Sequence, residues 1–120
     1  MNSVNRLYTE EIGALVIDVD GTQSESLPKK PLVLAGSFNP IHHGHQSLLL
    51  AAMSMTGNKG YYEISIRNVD KPLLPKKELS KRAEQVLKDG KSLILTSAPR
   101  FTEKSSILPG ATFVIGFDTC

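Results

Sequence analysis

Three histidines, His42, His43 and His45, fall within four positions around Gly44. An imidazole can present an N–H to a phosphoryl oxygen, and the contact strengthens as negative charge grows there. His42 and His45 stand at i and i+3, so an opening helical turn sets them on one face. Gly44 removes a side chain that would hold a phosphate at a distance. His43 faces away from the phosphates, as a structural or solvent-facing residue. Three clustered histidines would also suit a transition metal, but no acidic or cysteine partner sits at zinc spacing.

A second pair of chemistry-bearing residues lies upstream in Asp18-Val19-Asp20-Gly21-Thr22. Carboxylates at i and i+2 can both address one phosphoryl group with Mg²⁺ between them. The segment resembles the opening motif of haloacid-dehalogenase-type phosphatases. That fold needs a helix and a parallel strand next, whereas residues 23–31 read as polar linker. The expected form is an edge strand over 13–19 ending in an Asp-Gly turn.

The elements around the histidines explain why they matter. Leu32-Val33-Leu34-Ala35 is a short apolar run, read as a buried parallel strand. Residues 46–55 are apolar on nearly every side, which suits a helix, expected over about 43–55, packed under a sheet. A strand, a glycine-containing turn and a helix N-terminus hold phosphates well, because backbone N–H groups and the helix dipole point there. Downstream, the alternating Tyr61-Tyr62-Glu63-Ile64-Ser65-Ile66-Arg67 predicts a second strand. A helix is predicted over 78–89, stopped by Gly90, and a third strand over 92–96. A short helix around 103–107 and a fourth strand over 111–116 complete the reading. Alternating strands and helices imply a parallel sheet with right-handed crossovers. Residues 1–11 are polar and read as frayed.

The ten residues Gly36-Ser37-Phe38-Asn39-Pro40-Ile41-His42-His43-Gly44-His45 resemble the signature of the HxGH nucleotidyltransferases, G-[ST]-F-[DN]-P-x-H-x-G-H between a strand and a helix. Every fixed position is filled, far harder to meet by chance than a lone glycine-rich motif. The variant with Asn39 in place of Asp occurs in the nicotinamide mononucleotide branch of that family. The resemblance implies a Rossmann-like α/β fold with strand order 3-2-1-4. It also implies transfer of a nucleotide from a nucleoside triphosphate to a phosphate-bearing acceptor, with release of pyrophosphate. ATP and nicotinamide mononucleotide are the expected pair, as in NAD biosynthesis. CTP with a phosphorylated alcohol is the near alternative.

His42 and His45 would be catalytic, with Gly36, Ser37, Phe38, Asn39 and Gly44 lining the nucleotide. Phe38 is expected to anchor the turn from beneath. Gly116-Phe117-Asp118-Thr119 resembles the family's G-x-D-[TNS] element, which places Gly116, Asp118 and Thr119 beside nucleotide and acceptor. Lys71 and Arg82 are the nearest matches to a lysine and arginine at the start of the helix after strand two, as acceptor-binding residues. Mg²⁺ would accompany the triphosphate, and no metal site of the protein's own is implied.

The resemblance covers about residues 32–119, leaving 1–31 as N-terminal extension and linker and 32–120 as the nucleotidyltransferase-like domain. The family's second nucleotide motif, [ST]-[ST]-x-x-R after strand five, is not present before Cys120. Thr96-Ser97-Ala98-Pro99-Arg100 imitates it after strand three, the wrong place. The expectation is therefore the N-terminal part of a longer enzyme, weakly active or inactive alone. A truncated chain that binds nucleotide without turnover is the non-catalytic alternative.

Composition fits this reading. At 120 residues the chain is one domain at most, able to bury roughly two thirds of its unfolded surface. Its net charge of +2 is too small to argue for nucleic acid. Lys71, Lys76, Lys77, Lys81, Arg82, Lys88 and Lys91 form either a solvated helix face or an anion-facing patch. No apolar run approaches the ~20 residues of a membrane span. The lone Cys120 permits no internal disulfide and suits a reducing, cytoplasmic setting. A homo-oligomer is left open.

Overall fold

The computed structural model of the chain describes residues 3–38, 41–67 and 71–114. In chain order it contains α1 (Ser3–Tyr8), β1 (Ala14–Ile17), β2 (Gln23–Ser24), β3 (Leu32–Ala35), α2 (His43–Thr56), β4 (Gly60–Ser65), α3 (Lys76–Lys88), β5 (Ser92–Thr96), α4 (Phe101–Ile107) and β6 (Thr112–Phe113). The strands form one six-stranded mixed sheet in the order β2-β1-β5-β4-β3-β6. β5, β4, β3 and β6 run parallel, while β1 joins β5 antiparallel and β2 folds back on β1.

The sheet is thus not the purely parallel one expected, with order 3-2-1-4. An antiparallel pair drawn from the first 31 residues extends it. The reason lies in Ala14-Leu15-Val16-Ile17, all four buried. Such a run needs cover on both faces, and the outer edge of β5 presents backbone groups that must be paired. β1 is not the edge either, because β2 covers its outer side through a hairpin. In that turn the Gly21 N–H donates to the Asp18 carbonyl at 2.8 Å, and Gly21 sits at φ 88°.

Alternating residues send side chains to two cores. On one face Leu15, Ile17, Leu34, Tyr62, Ile64, Leu93 and Leu95 meet Leu7 of α1, Leu49 of α2, and Leu79 and Val86 of α3. On the other, Ala14, Val16, Val33, Tyr61 and Ile94 pack with Leu108 and Ile107 at the end of α4. Of the segment expected to be frayed, residues 3–8 form α1, in which Val4, Leu7 and Tyr8 sit at helical spacing and Leu7 is completely buried. Helix α2 is less enclosed than its apolar sequence suggests: it buries Leu49, while Leu50 and Met55 stand exposed.

The second face also buries polar residues, among them Glu63 on β4, which is fully buried. Its carboxylate accepts hydrogen bonds from Lys104 Nζ at 2.9 Å and from the Thr96 hydroxyl. A buried carboxylate persists only with such partners. Among the described residues, no helix is long and apolar enough to cross a membrane.

Candidate functional site

β3 has β4 on one side and β6 on the other. The chain therefore leaves β3, builds the parallel sheet one way through α2 and α3, then returns to the far side of β3 through α4. Connections diverging in this way open a crevice beyond the C-terminal ends of the strands. The segment after β3 begins at that switch point. Gly36 continues the ladder, its N–H donating to the Glu63 carbonyl at 3.1 Å, and Ser37 is exposed.

Phe38 then turns the chain inward. Its φ of 48° is left-handed, which disfavours a residue with a Cβ. Complete burial offsets that strain, and its ring meets Tyr62 edge-on at 4.8 Å and His45 at 4.9 Å. Gly36 is required for this packing, because a Cβ there would lie 2.9 Å from Phe38 Cζ.

His42 and His45 close the N-terminus of α2 on each other. His42 is the N-cap, and its Nδ1 accepts the Gly44 N–H at 3.1 Å. In return the His42 N–H donates to His45 Nδ1, also at 3.1 Å. This reciprocal pair has the positions of a Ser/Thr-x-x-Glu capping box, with imidazoles in both roles. The rings stack at 3.7 Å between centroids, tilted by 24°. Gly44 is needed because a Cβ would lie 2.9 Å from His42 Cε1. This is a second reason for glycine there, beside room for a ligand.

The capping consumes backbone donors that the sequence suggested were free. The N–H groups of His42 and Gly44 go to imidazole nitrogens, and those of His45 and Gln46 to the His42 carbonyl at 3.0 and 3.2 Å. What the site retains are the Nε2–H groups of two neutral rings, since each Nδ1 acts as an acceptor. His45 is held below the ordinary histidine pKa, first by burial and then by the neighbouring His42. A neutral pair of N–H donors on the positive end of a 14-residue helix is suited to an anion.

The other expected site residues are less gathered. His43 is exposed on the helix surface. Lys71 is exposed before α3, and Arg82 stands mid-helix, paired with Glu78 at 2.9 Å. Among the described residues, neither is hydrogen-bonded or ion-paired to the imidazole rings. Asn39, Gly116, Asp118 and Thr119 lie outside the described residues. Sequence reasoning missed the reciprocal cap, although His-x-x-His opening a helix occupies the N-cap and N3 positions. It also missed Tyr62 beneath Phe38, whose hydroxyl is pushed up to about 12 by burial and by Asp89.

Asp18 sits elsewhere, at the end of β1 where β4 and β5 begin. Its carboxylate accepts from the Ser92 hydroxyl at 2.7 Å and from Lys59 Nζ at 3.0 Å, and these bonds hold it below the usual carboxylate range. These residues line a cavity of about 190 Å³. Among the described residues, no group of three or more His, Cys, Asp or Glu side chains could hold a metal ion. No family model matches the chain, and neither the curated proteins nor the solved structures contain a match to it.

Proposed function

We propose that the chain carries the phosphate-handling turn of a Rossmann-like nucleotidyltransferase. The reaction would pass a nucleotide from the Mg²⁺ complex of a triphosphate to a phosphate-bearing acceptor. The observation that carries the reading is the stacked His42–His45 pair with both Nδ1 atoms committed to the helix cap, which puts the ring hydrogens on Nε2, where no hydrogen-bond partner stands among the described residues. The ten-residue match to the HxGH signature points the same way. From that resemblance, ATP and nicotinamide mononucleotide are the favoured substrates, and CTP with a phosphorylated alcohol the alternative.

In this reaction an acceptor oxygen attacks the α-phosphorus and pyrophosphate departs. Alignment and charge stabilisation supply most of the rate. The His42 and His45 Nε2–H groups donate to triphosphate oxygens and gain strength as charge builds on them. Capping fixes both rings beforehand, so little reorganisation is needed. Mg²⁺ travels as part of the substrate, ligated by its oxygens.

A second reading, binding without turnover, is favoured by the state of the cations. Arg82 is engaged by Glu78, and among the described residues neither it nor Lys71 is hydrogen-bonded or ion-paired to the imidazole pair. The deciding experiment is a panel of ATP or CTP with each acceptor, following pyrophosphate release alongside calorimetric binding. Release that disappears in His45→Ala supports transfer. Nucleotide binding without release supports the second reading, and no binding of any nucleotide refutes both.

A further inference from the structure

The reciprocal cap gives the imidazole pair a property beyond anion donation. A neutral ring can accept at Nδ1 while carrying its hydrogen on Nε2, but an imidazolium carries hydrogens on both nitrogens and cannot accept. In His42 the Nδ1 faces the Gly44 N–H, and in His45 it faces the His42 N–H, each at 3.1 Å. Proton uptake by either ring would set donor against donor. We propose that His42 and His45 form a proton-operated latch on the first turn of α2: closed and stacked when both are neutral, released when either is protonated. Only the ligand arm below rests on the phosphoryl-binding reading.

The surroundings favour the neutral, closed form. Rings 3.7 Å apart cannot both hold a positive charge cheaply, so the first proton opposes a second. Burial and the neighbouring ring lower the His45 pKa, the direction the cap requires. The facing groups add little that titrates. Residues 36–38 and the described parts of β3 and β6 bring no ionisable side chain. From β4 comes Tyr62, which stays neutral with its hydroxyl pushed up to about 12. From α3 comes Asp89, whose carboxylate accepts the Gln46 side-chain amide at 2.7 Å, and on α2 itself His43 is exposed.

The sign follows from linkage. A histidine whose folded pKa is lowered contributes stability that is full above its unfolded value of about 6.5 and is lost as pH falls through the folded value. An ordinary histidine anion site behaves oppositely, since imidazolium attracts anions better than imidazole.

The test is ¹⁵N NMR of the full chain from pH 8 to 5. Both rings should show Nε2–H tautomers at pH 7.5. Hydrogen-exchange protection of the Gly44 amide, corrected for intrinsic rate, should fall about fivefold as the rings protonate, the equivalent of one lost cap. In the double variant His42→Asn, His45→Gln, which keeps capping side chains that do not titrate, that pH dependence should vanish. Nδ1–H tautomers, constant Gly44 protection, or the same pH dependence in the double variant would overturn the latch. Sulfate, whose charge is constant over this range, serves as the anion probe. Affinity falling with pH supports the latch at the anion site, and affinity rising overturns it. If sulfate binds at no pH while the NMR behaves as expected, the latch stands and the phosphoryl-binding reading fails.

Discussion

Replacing Gly44 with alanine sets two effects of similar size against each other. Alanine is better than glycine inside a helix by about 1 kcal/mol. Its Cβ, however, would lie 2.9 Å from His42 Cε1 and 3.1 Å from Nδ1. The ring must swing away, and a lost N-cap costs about 0.5–2 kcal/mol. The two nearly cancel, so the thermal midpoint should move by less than about 3 °C. Binding has no such compensation. A displaced His42 removes one of two donors, and a hydrogen bond to a charged group is worth about 1.5–3 kcal/mol, or roughly 10- to 150-fold in affinity. Calorimetry with Mg²⁺-ATP at pH 7.5, paired with thermal unfolding, measures both quantities. A midpoint raised by about 4 °C with affinity unchanged would show that the His42 ring does not lie over Gly44, and would refute the capping geometry.

Three further outcomes are expected. Phe38→Ala should destabilise the fold by about 3–5 kcal/mol in denaturant unfolding, because it empties the space between Tyr62 and His45. Lys104→Met should cost about 3–5 kcal/mol by leaving the buried Glu63 carboxylate without its cation, and adding Glu63→Leu should recover part of that loss. Asp18→Asn should change stability by less than about 1 kcal/mol at pH 7, as this half-exposed ion pair is weak. The Asp18 pKa is lowered, so the small contribution is present above its ordinary value of 3.8 and disappears as acid titrates it below that. A phosphatase activity abolished by the same change would reopen the reading of Asp18 and Asp20 as catalytic carboxylates.

What was legible in the sequence depended on how local the signal was. Strands at 32–35 and 92–96 appear where the apolar runs stand, because a run buried on both faces needs no partner to be recognised. The strand expected over 61–67 lies at Gly60–Ser65, and the helix expected over 78–89 at Lys76–Lys88, beginning directly after Pro75. Short elements were harder. Helix α1 has six residues and the strand β2 two, too few for a periodic pattern to emerge. Their stability comes from tertiary contacts such as Leu7 in the core and the pairing of Val16 with Ser24. At the turn, residue types announced anion chemistry, but the stacking of two rings and their double use as caps depend on Phe38 and Gly36, which only the packed geometry relates. The Glu63–Lys104 pair joins residues 41 positions apart, and nothing in either neighbourhood predicts it.

The antiparallel docking of β1 on β5 also sets an order of events for the growing chain. Ala14 aligns with Thr96, so the first long strand made must wait for a partner synthesised about eighty residues later. At ordinary translation rates that interval is roughly 4–16 s, long compared with the microseconds to milliseconds in which local helices and hairpins form. Meanwhile Ala14-Leu15-Val16-Ile17 is a short, uncharged, β-prone segment paired only by the two-residue β2, and its edge toward β5 stays open, the arrangement that invites intermolecular association. Its flanks carry acidic residues, Glu10 and Glu11 before and Asp18 and Asp20 after. In the folded protein Asp18 ends the strand by binding Ser92 and Lys59. Charges flanking a β-prone segment are the general means by which such association is discouraged, and here they stand on both sides of the strand that must wait for β5.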